Sequence, residues 1–318
     1  MTMNDEILIK SIRGGLVDEV HRGFIIYGGK DNISYIKGNS GDYPFYLRSC
    51  AKPLQAALLI DWGADKFYNM TSEEIAICCA SHAGEEVHTH TVKGLLDKIG
   101  LDESYLKCGL HEPLSKTRQY EMKVKGEKCS ALHNNCSGKH AIMLALCKMN
   151  GWDLSNYDDI EHPLQIAIKN KVNELCEVNC DYPITKDGCG VPIFSMPLKN
   201  MLIGYLNLFC DEKYIKIRNA FSQHPYLVGG EDRTDTKVIC LNNHTSNIIC
   251  KVGAGGLCVV VNIEKKDGFL VKISDCDMRA RELAVFEMLN KLGWADIVFD
   301  KGIKTLHGDT VGHLQLSF

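Results

Sequence analysis

The sequence lacks long apolar runs. Its longer ones, such as Ala141 to Leu146 and Leu257 to Ile263, stop far short of the roughly 20 residues a membrane-spanning helix needs. It also lacks a basic stripe or Arg-rich segment. With 36 Lys and Arg against 40 Asp and Glu, the net charge is −4, which argues against a nucleic-acid binder. The opening residues, Met1 to Glu6, carry neither the basic stretch nor the apolar stretch of a secretory signal, so the expected compartment is cytoplasmic. Repeats, low-complexity segments and Pro- or Ser-rich linkers are absent. The 318 residues, 45% of them hydrophobic, suffice for one large core or two intimately packed subdomains, and the chain is read as a single domain over 1–318. The fifteen cysteines form no CxxC pair and no regular framework. They read as reduced thiols rather than disulfides. Cys78, Cys79, Cys147, Cys210 and Cys258 sit in apolar segments and are expected to be small core residues.

The hydrophobic pattern changes twice along the chain. Ile7-Leu8-Ile9, Gly23 to Tyr27 and Ile33 to Ile36 read as strands, with a turn at Gly28 to Asn32. Residues 53–210 read mainly as helices. Thr71 to Glu74 has capping-box spacing, Gly100 and Gly151 end helices that begin near Val87 and Ser137, and Pro163 opens another, Leu164 to Val178. From about 236 strands return: Val238 to Cys240, Ile248 to Lys251, Leu257 to Asn262 and Phe269 to Ile273, with a hairpin turn at Lys265 to Gly268. Asp277 caps a helix from Met278 to Leu292, and Val311 to Leu316 make a last edge strand. Strands at both ends predict an α/β (α+β) fold. One antiparallel sheet is built from about 1–50 and 236–318, flanked by helices, with a helical part at about 53–235.

Five stretches concentrate reactive groups. Arg48-Ser49-Cys50-Ala51-Lys52-Pro53 puts a hydroxyl and an amine three residues apart at a helix start, where i and i+3 share a face. An amine kept neutral by burial can take the serine proton and make it a nucleophile. The bland alternative is an N-cap serine and a solvated lysine. Ser81, in Ser81-His82-Ala83-Gly84, follows a helix of small apolar residues and lies where a substrate could approach, or in an ordinary polar loop. His82, His88 and His90 match no ligand spacing and read as structural or surface histidines. Asn135-Cys136-Ser137-Gly138-Lys139-His140 crowds thiol, hydroxyl, amine and imidazole into one helical turn, where nearby cations would favour the Cys136 thiolate. Asp187-Gly188-Cys189-Gly190 is a flexible turn that either aims Asp187 and Cys189 into a site or merely buries a thiol. Lys251 ends an apolar strand before Gly253, as a second amine near a nucleophile or as an edge-strand lysine.

Together with Val228 to Thr236 these words, in this order, resemble the asparaginase II family, the Rhizobium-type L-asparaginases. The resemblance implies a fold like serine β-lactamases and glutaminases, and hydrolysis of L-asparagine to L-aspartate and ammonia. It implies two serine–lysine pairs, Ser49 with Lys52 and Ser81 with Lys251. It further implies a metal, usually zinc, held by Cys136, Lys139 and Cys189 with Asp187 and His140 beside it, and a homodimer. The chain departs from the pattern at Gly255, where an acidic residue is expected.

The expected chemistry is attack of Ser49 on a side-chain amide with Lys52 as base, and a proton relay through Ser81 and Lys251. Arg48 or Arg233 is expected to take the substrate carboxylate and Asp187 its ammonium, with Asn135 and His140 also at the substrate. Glutaminase activity is the nearest alternative, since one methylene is worth only about 1–3 kcal/mol of discrimination. A penicillin-recognising acyl-binding protein fits Ser49 and Lys52 equally, but not the Cys136 and Asp187 stretches. A thiol-redox or zinc-storage protein fits the cysteine count and leaves the serine–lysine spacing without purpose.

Overall fold

The computed structural model describes residues 3–241 and 247–318; the few residues of the two expected sheet spans outside these ranges lie outside the described residues. In chain order the elements are β1 (Glu6–Arg13), β2 (Leu16–Gly29), β3 (Ser34–Lys37), β4 (Phe45–Tyr46), α1 (Ala51–Asp61), α2 (Ala64–Phe67), α3 (Ser72–Cys78), α4 (Glu86–Lys98), α5 (Lys116–Lys125), α6 (Ser137–Asn150) and α7 (Pro163–Leu175). There follow β5 (Ile184–Lys186), β6 (Pro192–Met196), α8 (Leu198–Cys210), α9 (Ile215–Gln223), α10 (Pro225–Val228), α11 (Thr234–Cys240), β7 (Ile248–Gly253), β8 (Leu257–Asn262), β9 (Asp267–Ile273), α12 (Met278–Lys291), β10 (Gly302–Lys304) and β11 (Thr310–Leu316).

The two ends of the chain build one antiparallel sheet in the order β10-β11-β1-β2-β9-β8-β7, with β3 on β2. The mixed fold with a sheet from both termini is therefore as the pattern predicted. β7 and β8 are buried at every position instead of alternating, because α8 and α12 pack on β8 while α9 and α11 cover β7. The middle of the chain is helical, around α1. That helix is buried from Ala51 to Leu59 and packs on α3, α6, α7, α8 and α9, so its lysine lies deep inside.

Several local expectations are corrected, among them the last strand, for β11 lies between β10 and β1 rather than at the edge of the sheet. Val238 to Cys240 is the end of α11, not a strand. Its buried residues Thr234, Asp235, Val238 and Ile239 repeat at helical spacing and face β7, so packing overrides the β-branched run. The β8–β9 turn falls at 263–266, ahead of the expected glycine, with Lys266 taking the left-handed φ of 52°. The helical part also holds a small sheet, β4-β6-β5, which short, mixed runs did not signal. The capping box at Thr71 and Glu74 is present, with both reciprocal bonds made. Of the five cysteines assigned to the core, Cys210 is only half-buried.

Two glycines bring the reactive segments together. A Cβ on Gly138 would stand 2.1 Å from the Ile77 carbonyl oxygen, so only glycine lets the start of α6 press on the end of α3. A Cβ on Gly253 would stand 3.0 Å from Cys50 Sγ and 3.2 Å from the Leu47 oxygen, where β7 meets the turn carrying Ser49.

Candidate active site

Ser49 sits on a 3-10 turn, Arg48–Cys50, that runs into α1. Arg48 holds this turn with φ of +48°, a left-handed conformation unusual for a non-glycine residue and frequent at functional sites. Lys52, one turn on, is 2% exposed. Its Nζ lies 2.7 Å from the Ala80 oxygen, 2.9 Å from the Asn135 oxygen and 3.0 Å from Ser81 Oγ. A neutral amine has two hydrogens and one lone pair. The two carbonyls use both hydrogens, and the lone pair then faces the Ser81 hydroxyl as its acceptor. Burial lowers the Lys52 pKa to about 8; the Cys136 thiol opposes the shift, while Lys139 and Lys251 add to it.

Neither expected serine–lysine pair is hydrogen-bonded. Lys52 reaches Ser81 across 29 residues of sequence, and no hydrogen bond joins it to Ser49. Lys251 does not reach Ser81 either. Fully buried, its Nζ donates to the Val252 oxygen at 3.0 Å and to Asp235 Oδ2 at 3.3 Å. Ser49 and Ser81 nevertheless share a cleft of about 350 Å³, lined also by Asn135, Arg233, Gly253 and Arg281. A larger hollow of about 470 Å³ lies against α7 and α8, but its Lys30 and Lys213 are tied to Glu177 and Asp61, and burial raises the pKa of its one thiol, Cys210.

Other expected residues divide between the cleft and the layer behind it. Arg233 and Asn135 line the cleft; Arg48, Asp187 and His140 do not. Arg48 Nε donates to Asp187 Oδ1 at 2.8 Å. Burial would raise the Asp187 carboxyl pKa, but Lys139, the Gly188 N–H and Arg48 hold it below the ordinary value. His140 is fully buried, with Nδ1 2.7 Å from the Tyr157 hydroxyl and Nε2 without a partner. Burial, reinforced by Lys139, pushes its pKa well down, so the ring stays neutral. His82 and His88 are buried and stacked at 5.1 Å, and His90 is exposed, as structural and surface histidines should be.

Cys136, Lys139 and Cys189 converge. Lys139 Nζ lies 2.8 Å from Cys189 Sγ. The Cys136 thiol is held well below its ordinary pKa by a hydrogen bond from Cys189, against burial and with help from Lys52 and Lys139. Two sulfurs and an amine in one buried cluster are a donor set suited to zinc. Among the described residues no group of three or more His, Cys, Asp and Glu side chains gathers to hold a metal.

Two residues at the site carried no role in the sequence reading. Asp235 lies in the Arg233-Thr234-Asp235 word but showed no local sign of its partner. Arg281 had a signal. It stands with Ala284, Val285 and Met288 at i, i+3, i+4 and i+7 on the apolar face of α12, where a charge is out of place.

The model of the L-asparaginase II family matches the sequence over residues 9–315. Curated proteins give no match by sequence. Among solved structures, a β-lactamase from Mycobacterium bovis is similar with a TM-score of 0.43 at 13% identity, covering 85% of this chain and 94% of its own. A protein described as a β-lactamase from Bacteroides dorei gives 0.43 at 12% identity, over 84% and 93%. Scores this low bear on neither substrate nor mechanism. Among the described residues no helix is long and apolar enough to cross a membrane.

Proposed function

The chain belongs to the L-asparaginase II family, and on that premise we propose that it is an amidohydrolase that cleaves L-asparagine to L-aspartate and ammonia through a serine ester. The observation that carries the reading is the Lys52 Nζ to Ser81 Oγ distance of 3.0 Å at the wall of the cleft, with the Ala80 and Asn135 carbonyls also on the amine.

In this mechanism neutral Lys52 accepts the Ser81 proton as Oγ attacks the side-chain amide carbon. The C–N bond then breaks, and the ammonium of Lys52 returns that proton to the departing nitrogen, which leaves as ammonia. Water adds to the β-aspartyl ester with Lys52 again as base, and the proton returns to Ser81 as aspartate leaves. Ser49, which lines the same cleft, is the second hydroxyl at the reacting carbonyl. Lys251 donates to the Asp235 carboxylate rather than to a serine and is given no role as a second base. The side-chain amide of Asn135 can donate to the substrate carbonyl.

Zinc, when bound, would be held by Cys136, Lys139 and Cys189, and would supply a fixed positive charge that orders the Asp187 turn. Lys139 must give up its proton to act as a ligand.

An ammonia-release assay on asparagine and glutamine, with and without added zinc, tests the reading. Release from asparagine that disappears in Lys52→Met and Ser81→Ala supports it, and wild-type inactivity on both amides overturns it. Preference for glutamine by more than about a hundredfold would move the substrate assignment to the longer amide.

A further inference from the structure

The cleft is charged on one side of the ledger only. Arg233 and Arg281 line it, and among the described residues no Asp or Glu does. Arg281 is 6% exposed. Its Nη1 donates to the Gly253 oxygen at 3.2 Å, its buried Nε has no partner, and no carboxylate pairs with it among the described residues. The buried Nε of Arg233 is likewise unpartnered. A buried guanidinium without an anion is unfavourable, and its planar fork is shaped to take a carboxylate through two parallel bonds. Arg281 is such a group, and half-buried Arg233, with no carboxylate paired to it among the described residues, adds a second positive charge, so the counter-charge is left to what binds there. Asp187, the acid expected to hold an ammonium, lies outside this lining and is committed to Arg48 at 2.8 Å.

We propose that Arg281, with Arg233, is the carboxylate clamp of the cleft, and that its substrates are carboxamides bearing a nearby carboxylate, with no free α-ammonium required. Half-amides of dicarboxylic acids then belong to the substrate class alongside asparagine. The substrate class rests on the amidase reading above; the clamp does not.

Two measurements on the full chain separate them. Succinate is the binding probe, since it has carboxylates but no amide or ammonium, and uncharged succinamide is its control. By titration calorimetry, succinate binding should weaken about a hundredfold in Arg281→Met and about tenfold in Arg281→Lys, which keeps the charge but loses the fork. Both variants are first checked for native circular dichroism, and Arg233→Met provides the same test from the second arginine. In ammonia release, succinamate should reach kcat/KM within about tenfold of asparagine. Succinate binding unchanged in all three variants would overturn the clamp. A preference for asparagine over succinamate of about a thousandfold or more would overturn the substrate class, because the ammonium would then be required. Arg281-dependent succinate binding without ammonia release from either amide would uphold the clamp and remove the amidase reading instead.

Discussion

Lys251 Nζ meets Asp235 Oδ2 at 3.3 Å, and neither side chain reaches solvent. This pair distinguishes Lys251 from Lys52. Lys251 has a carboxylate partner. Lys52 has two carbonyls and a hydroxyl, and sits where burial disfavours its charged form. Asp235 Oδ1 is left without a partner, so the pair is only partly satisfied and depends on both members.

Removing one member should therefore be severe. Asp235→Leu leaves an uncompensated buried ammonium and is expected to lower stability by about 3–5 kcal/mol. The double variant Asp235→Leu with Lys251→Met should regain most of that loss, because a buried ion pair often does no better than apolar residues of similar size. Urea unfolding of the three proteins checks both statements. Equal stability of the single variant and wild type would show that the pair is not formed.

Lys52 and Ser81 should behave as one unit. Ser81→Ala, Lys52→Met and the double variant are each expected to lower kcat by on the order of a thousandfold or more, with no added loss in the double. Ser49→Ala should lose less, and intact-mass analysis of rapidly quenched enzyme should place the acyl group on Ser81. An acyl group on Ser49 would return the attack to that serine.

The pH profile follows from the state of Lys52. Its neutral form is the base, and its pKa is lowered to about 8, chiefly by burial. Activity should climb by about tenfold per pH unit below 8 and level off above it. A profile that falls through this range would mean that the protonated lysine is the working form.

Zinc binding should depend on pH in the same sense, for a different reason. Burial alone would lower the Lys139 pKa, but the Cys136 and Cys189 sulfurs raise it above the ordinary value. A metal must displace that proton, so affinity should increase between about pH 6.5 and 8.5. Competition against a chromophoric chelator measures it, and Cys136→Ser or Cys189→Ser should abolish binding while the fold persists. Zinc retained by both variants would place the ligands elsewhere.

The sequence by itself determined most strands of both chain ends, the capped helices α3 and α12, and the short words that hold every hydroxyl, thiol and amine of the site. Those features are local, because side-chain period and cap chemistry are complete within a few residues. Only the tertiary structure decided who meets whom. Ser49 and Lys52 are three residues apart, yet the turn at Arg48 leaves the lysine facing Ser81, and Gly138 lets α6 bring the Asn135 carbonyl to the same amine. Packing against β7 turned Val238 to Cys240 into helix and delivered Asp235 to Lys251, while α12 carried Arg281 to the cleft. Such contacts join elements far apart in the chain. They are set by the shape of a shared core, to which no single stretch of sequence has access.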